Sequence, residues 1–355
     1  MSVTQPPSCP FPLQTRSLAK TTPGPPLLIE GEAGLQQLMA WLQENRDWWR
    51  QQRVEHGALL FRGFQVGTAQ AFEQIALTME PELQNHYLGT SPREAITPYT
   101  FSASELPGFY PIPQHLEMSF LATPPRWLFF YCLHAPKRGG ETPLTDFRRV
   151  MQDLDPEVLR RFQEGGLRII RNYNGPEAKD GWDLWKMKAW HEVFATTDRN
   201  EVEKQCAEQG FHPEWLEQGR LRLTHEQNAC RKHPETGEDV WSNHVQVFHL
   251  DAAPLEYQSI LRHGKRFGVF PWYWLAKILV AIKRRRPSLA QALHCTYRDG
   301  SEIPKADLKH LQQVIWRHLT AIPWQKGDIL AIDNASVAHG RLPYRGEREI
   351  LVAWA

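Results

Sequence analysis

Residues 34–55, "GLQQLMAWLQENRDWWRQQRVE", place apolar side chains at helical spacing and predict a helix. The segment that follows, "HGALLFRGF", is a short unbroken apolar run and predicts a buried strand. "TAQAFEQIALTM" returns to helical spacing, and the aromatic run "RWLFFYCL" at 126–133 fits a strand. Asp155 followed by Pro156 predicts a helix start, since Pro is tolerated at the first helical position. Helical patches such as "DRNEVEKQCAEQG" occupy a charged stretch from about 176 to 232. "DVWSNHVQVFHL" at 239–250 reads as strand, residues 254–293 as a second helical insert, and "PKADLKHLQQVIWRHL" as a further helix. The end, "KGDILAIDNASVAHGRLPYRGEREILVAWA", reads strand, turn, turn, strand. Strands at both ends with helical material between them predict a mainly β chain, a barrel or sandwich carrying helical excursions.

Composition removes some classes. Lys+Arg is 41 against Asp+Glu 40, a net charge of +1, so no nucleic-acid partner is expected. The five cysteines are odd in number and contain no CxxC pair, which makes a reducing, cytoplasmic setting the expectation. Residues 1–28 read as a Pro-rich leader, extended or partly disordered, without the apolar core of a secretory signal. Residues 29–355 are then expected to form one domain. "FGVFPWYWLAKILVAIKRRRP" at 267–287 is too short and too interrupted to span a bilayer. Its aromatics and trailing basic residues would suit a membrane surface. The preferred expectation is a helix packed on the body, its basic end complementing the helix dipole, or a face for homo-oligomer formation.

The candidate chemistry starts at "QHLEMSF". His115 and Glu117, two apart, would point to one face of a strand and offer a metal two ligands. The pattern recurs at His212-Glu214 and His233-Glu235, but there Pro is the middle residue and favours a turn, so those pairs look structural. His339, after "IDNASVA", would complete two imidazoles and a carboxylate, the set that binds one face of Fe(II) and leaves the other open. Arg348, nine residues on, would bind a dicarboxylate such as 2-oxoglutarate bidentately, with the Thr142 hydroxyl of "GGETP" helping.

His115-x-Glu117, "GGETP" and the closing "DN…HGR…R" together resemble the taurine dioxygenase/TfdA family of Fe(II)- and 2-oxoglutarate-dependent oxygenases. The likeness is nearest the branch of clavaminate synthase-like proteins and natural-product amino-acid hydroxylases. "HGALLFRGF", "TSPRE", "RKHPETGEDVWSN", "RDGSEIP" and "PWQKGDILAIDNASVAHGR" extend it over most of the chain, in order. The resemblance implies a double-stranded β-helix, or jelly roll, with His115, Glu117 and His339 on Fe(II). It implies Arg348 and Thr142 on 2-oxoglutarate, and O2 as the second cosubstrate. Arg341 also lies near His339, and Arg348 is preferred because it opens the last strand. The family's halogenating enzymes lack the carboxylate ligand, so the presence of Glu117 favours hydroxylation, desaturation or epoxidation.

For the substrate, Arg93 in "TSPRE" is a candidate partner for a carboxylate. Asn243, with His244 beside it in "WSNHVQ", is a candidate for the barrel mouth. A small amino acid or amino-acid-derived molecule, free or tethered to a carrier protein, is the expected substrate class. A metal-free jelly-roll binding protein and a His2Glu zinc hydrolase are the competing readings. The second leaves Arg348 and Thr142 without a role.

Overall fold

Both faces of the main sheet are buried, which is why its strands read as unbroken apolar runs rather than as alternation. In the strand Trp127–His134, Leu128, Phe130 and Cys132 enter one core, while Trp127, Phe129 and Tyr131 enter a second. Ala58–Arg62 divides the same way, Leu60 inward and Leu59 and Phe61 outward. The computed structural model describes residues 6–7, 9–19, 24–86, 93–104, 106–177, 189–264 and 267–355. The main sheet has seven strands, in the order Leu13–Ser17, Leu27–Gly31, Ala58–Arg62, Ile329–Asp333, Trp127–His134, Glu349–Trp354 and Phe101–Ser102. The early strand Ala58–Arg62 and the late strand Ile329–Asp333 therefore lie side by side in the sheet's interior. Helices Leu35–Glu44, Arg46–His56 and Ala69–Met79 supply Trp41, Trp49, Phe72 and Ile75 to the outer core.

A three-stranded sheet, Ile112–His115, Val337–Arg341 and Leu144–Asp146, and a four-stranded one, His212–Trp215, Leu221–Gln227, Leu167–Tyr173 and Leu293–Thr296, share the inner core with the main sheet. The candidate site lies where the three-stranded sheet meets that core.

Several expectations need correction. The boundary at residue 28 falls inside the strand Leu27–Gly31, and Leu13–Ser17 of the expected leader is the edge strand paired to it. The stretch 34–55 is two helices: Asn45 leaves helical geometry at φ −113°, ψ 29°, and its side chain donates to the Trp41 carbonyl (2.9 Å). The stretch 176–232 is not wholly helical, since His212–Trp215 and Leu221–Gln227 complete the four-stranded sheet. In 239–250 only Asp239–Trp241 is strand; Val245–Phe248 is helical, with the Asn243 side chain accepting the Val245 N–H. The insert 254–293 is helical as expected, in Ala252–His263 and Phe270–Lys283. Asp155 caps its helix through the Glu157 and Val158 N–H groups. All five cysteines are free thiols, and no described helix is long and apolar enough to cross a membrane.

Candidate metal centre and cosubstrate pocket

Strand pairing brings the two histidines together. His115 ends one strand and His339 sits mid-way along its antiparallel neighbour, and the register sets them directly opposite each other. Their ring centroids are 4.4 Å apart. Close approach here depends on Gly340, where a Cβ would fall 2.5 Å from the Ile112 carbonyl oxygen. The His115 Nδ1–H donates to the Pro113 carbonyl (2.9 Å), so the unprotonated Nε2 faces the pocket.

Glu117 arrives by a different route from the expected one. The strand stops at His115, Leu116 turns into the core, and Met118 adopts a left-handed φ of 51°. What holds the carboxylate in place is Asn334, of the "DN" that precedes His339, a residue with no local signal of this role. Its Oδ1 accepts the Glu117 N–H (2.7 Å), and its Nδ2 donates to the carbonyls of Glu117 (3.0 Å) and Pro125 (2.6 Å). The amide thus stands in for the missing strand partner of Glu117. Asn334→Ala is expected to weaken Fe(II) or Mn(II) affinity by about 10–100-fold, the cost of losing an outer-sphere support. Asn334→Asp is expected to do no better, because a carboxylate cannot donate to two carbonyls. Metal titration of both variants checks this.

Glu117 Oε2 lies 3.9 Å from His115 Nε2 and 3.6 Å from His339 Nε2, so three ligand atoms converge on one point. Burial alone would raise the Glu117 carboxyl; Arg93, then the two histidines, override it and hold the group well below the usual carboxylate range. Burial, with His339 adding to it, pushes His115 down to about 4, which keeps it neutral and able to ligate.

Arg93, expected on a substrate carboxylate, lines the pocket, where it pairs with Glu117 (2.9 Å) and donates to the Ala103 carbonyl (2.8 Å). Asn243 does not reach the pocket: its Nδ2 donates to the Ala229 carbonyl (2.7 Å), and it is completely buried. Its neighbour His244 does line the pocket, held by Ser119 at 2.7 Å. The paired residues of "HPE" lie elsewhere. His233 faces Asp333 (2.7 Å) while its Nδ1 accepts two backbone N–H groups, and Glu214 pairs with Arg222 (2.7 Å).

Arg348 and Thr142 line the same cavity, of about 100 Å³, as the three candidate ligands. The Arg348 Nε donates to the Gly140 carbonyl (3.0 Å) and Nη2 to Thr142 Oγ1 (3.5 Å). No carboxylate of the described residues lies within ion-pair distance of this guanidinium, and burial, followed by the nearby Arg341 charge, pushes it down to about 10. A half-buried cation that no described carboxylate pairs with is a receptor for an anion. Thr142 Oγ1 also accepts from the Trp324 indole (3.2 Å), a contact with no local sequence signal. With both neighbours donating to it, the hydroxyl hydrogen of Thr142 is left for a ligand oxygen. Arg341 is otherwise engaged: it donates to the carbonyls of Leu106, Pro107 and Tyr110, each at 2.9 Å.

His249, His294 and Glu302 form a second group within metal-binding distance. There, however, the Nδ1 atoms accept the N–H groups of Asp251 (3.0 Å) and Leu250 (3.3 Å). Each Nε2 must then carry the proton and cannot ligate. Only the first group has the right tautomer at His115.

Residues 19–354 match the family model described as taurine catabolism dioxygenase TauD, TfdA family. The chain belongs to the TauD/TfdA family. As a family member it is an oxidoreductase, an iron- and 2-oxoglutarate-dependent dioxygenase. This TauD/TfdA enzyme is 31% identical over 299 residues to the dapdiamide synthesis protein DdaC of Enterobacter agglomerans, covering 84% of this chain and 82% of that one. It is 30% identical over 307 residues to a clavaminate synthase-like protein of Arabidopsis thaliana, covering 84% and 81%. Among solved structures it resembles PvcB, described as an Fe, alpha-ketoglutarate dependent oxygenase from an isonitrile synthetic pathway. The TM-score is 0.50 at 14% identity, over 99% of this chain and 92% of that one. AAD-2, solved with Mn(II) and N-oxalylglycine, gives 0.50 at 12% identity over 97% of each chain. At such identities the structural likeness speaks for a shared fold.

Acid should unfold this enzyme. Burial pushes His225 and His249 down to about 3, with Arg171 adding at the first and His294 at the second. Both stay neutral when folded and charge near pH 6.5 when unfolded. Their contribution is fully present above about pH 6.5 and is lost as pH falls toward 3, by about 1.4 kcal/mol per pH unit for each histidine. Urea titrations between pH 7 and 4 test it (roughly the span between the folded and free values); a flat profile would contradict the burial.

Proposed function

We propose that this enzyme hydroxylates an unactivated C–H bond of a small amino-acid-derived substrate, on a double-stranded β-helix core. His115, Glu117 and His339 hold Fe(II), and Arg348 with Thr142 holds the distal carboxylate of 2-oxoglutarate. The observation that carries this is the convergence on one cavity of three ligand atoms and a guanidinium that no described carboxylate pairs with. When bound, the metal with O2 and 2-oxoglutarate supplies the oxidising chemistry, the cosubstrate leaving as succinate and CO2.

The chain's own residues bind, orient and exclude water. Arg348 and Thr142 fix one end of the cosubstrate, and Arg93 keeps Glu117 ionised. Phe120, Phe130, Val247 and Phe248 wall the cavity with apolar surface, which keeps bulk water from the reacting centre. A relative named for dapdiamide synthesis supports an amino-acid-derived substrate in natural-product biosynthesis. A panel of free and carrier-tethered amino acids, scored by succinate release, tests the reading. Iron-dependent, zinc-insensitive succinate that tracks a hydroxylated product is the expected result. Retained coupling in His115→Ala or His339→Ala would refute the ligand assignment.

A further inference from the structure

The helix Phe270–Lys283 has no buried residue, yet it is almost wholly apolar. Trp272, Tyr273 and Ala276 pack toward the body, where Trp272 stacks on Phe109 with centroids 3.9 Å apart. The opposite side is left to solvent. Phe270, Trp274, Ile278 and Ile282, one turn apart, form a stripe with exposures of 53%, 47%, 57% and 54%. A stripe of this kind marks a contact surface rather than ordinary scattered exposure.

Charge indicates what meets it. Between Glu256 and Asp299 the sequence contains no Asp or Glu and nine Lys and Arg, in a chain whose net charge is only +1. Arg284 is matched by Asp251 (2.5 Å). Arg285 and Arg286 stand exposed at the helix end, with no acidic partner among the described residues. Lys277 lies over the Trp274 ring at 4.5 Å, its ammonium beside the apolar stripe. A second copy of this chain would bring a basic end against a stretch with no acid to balance it. An anionic surface balances it everywhere. The helix has 14 residues, about 21 Å. That is too short to span a bilayer and suits a helix lying in the interface plane.

We propose that this helix docks the enzyme on an anionic lipid surface, with Phe270, Trp274, Ile278 and Ile282 in the headgroup layer and Lys277, Arg285 and Arg286 on the phosphates. The docked face adjoins the pocket, because Phe109 precedes Tyr110, which lines the cavity. The test is flotation of the full chain with vesicles of phosphatidylcholine alone or mixed with phosphatidylglycerol. Binding to the mixed vesicles, weakened by salt, is expected. Arg285→Glu and Arg286→Glu should each lower it by roughly fivefold or more. Trp274→Glu with Ile278→Glu should abolish it without unfolding, since both side chains are exposed; circular dichroism checks the fold. Failure of the folded wild type to float with anionic vesicles overturns the proposal. So does flotation insensitive to these substitutions. A dimer dissolved by Trp274→Glu/Ile278→Glu, or retention by polyglutamate in place of vesicles, would assign the face to a protein partner and overturn it as well.

Discussion

Glu117→Ala is expected to remove iron-dependent succinate formation and, in the metal-free protein, to lower stability by about 3–5 kcal/mol. The first effect follows from losing the anionic member of the proposed ligand set; even outer-sphere changes cost about 10–100-fold, so a ligand should cost more. The second follows from Arg93. Its side chain is 6% exposed and that of Glu117 is 4% exposed, so solvent screens the pair little. Removing the carboxylate takes from the guanidinium its buried ion-pair partner at 2.9 Å. The two effects separate in a double variant. Arg93→Met with Glu117→Ala should recover most of the lost stability and none of the activity. Urea unfolding in the presence of a chelator, beside succinate assays, reads both. A double variant as unstable as the single one would show that the ion pair is not what stabilises this corner, and an active single variant would refute the ligand assignment.

Arg348→Met should do the reverse to stability. The 2-oxoglutarate KM is expected to rise by about 30-fold or more, since removing one member of a buried charge pair costs at least about 2 kcal/mol. Stability should be unchanged or higher, because the free protein no longer holds a partly desolvated charge that no described carboxylate pairs with. Arg341→Met gives the mirror image. Three backbone carbonyls, of Leu106, Pro107 and Tyr110, lose a charged donor. Each such bond is worth roughly 1.5–3 kcal/mol, so the melting temperature should drop by several degrees while the 2-oxoglutarate KM moves less than about tenfold. Calorimetry and steady-state kinetics on the two variants decide which arginine binds and which one builds. Equal KM effects would overturn the division of roles.

Burial on both faces made the central strands legible in the sequence. An eight-residue run such as Trp127–His134 has no other economical placement, and residues 58–62 and 329–333 follow the same logic. The helix start at Asp155 was legible because capping is local chemistry. The two-strand segment at 212–227 was missed because its apolar positions, Leu221 and Leu223, alternate with charges and sit in a stretch dominated by helix-forming residues.

At the site, the sequence by itself determined the residue types: two imidazoles, one carboxylate, a late arginine and a threonine in "GGETP". Only the tertiary structure decided which of them meet. Strand register, which no local pattern encodes, sets His339 opposite His115. Asn334 supports Glu117 from a distant turn, so its role could not be read from either neighbourhood. The two late arginines look alike in sequence, and Arg341 is taken up by three carbonyls while Arg348 meets no ion-pair partner among the described residues. Arg93 and Asn243 went to Glu117 and Ala229 for the same reason. A polar side chain binds whichever buried partner the fold brings nearest, and that competition is settled by packing between segments remote in the chain.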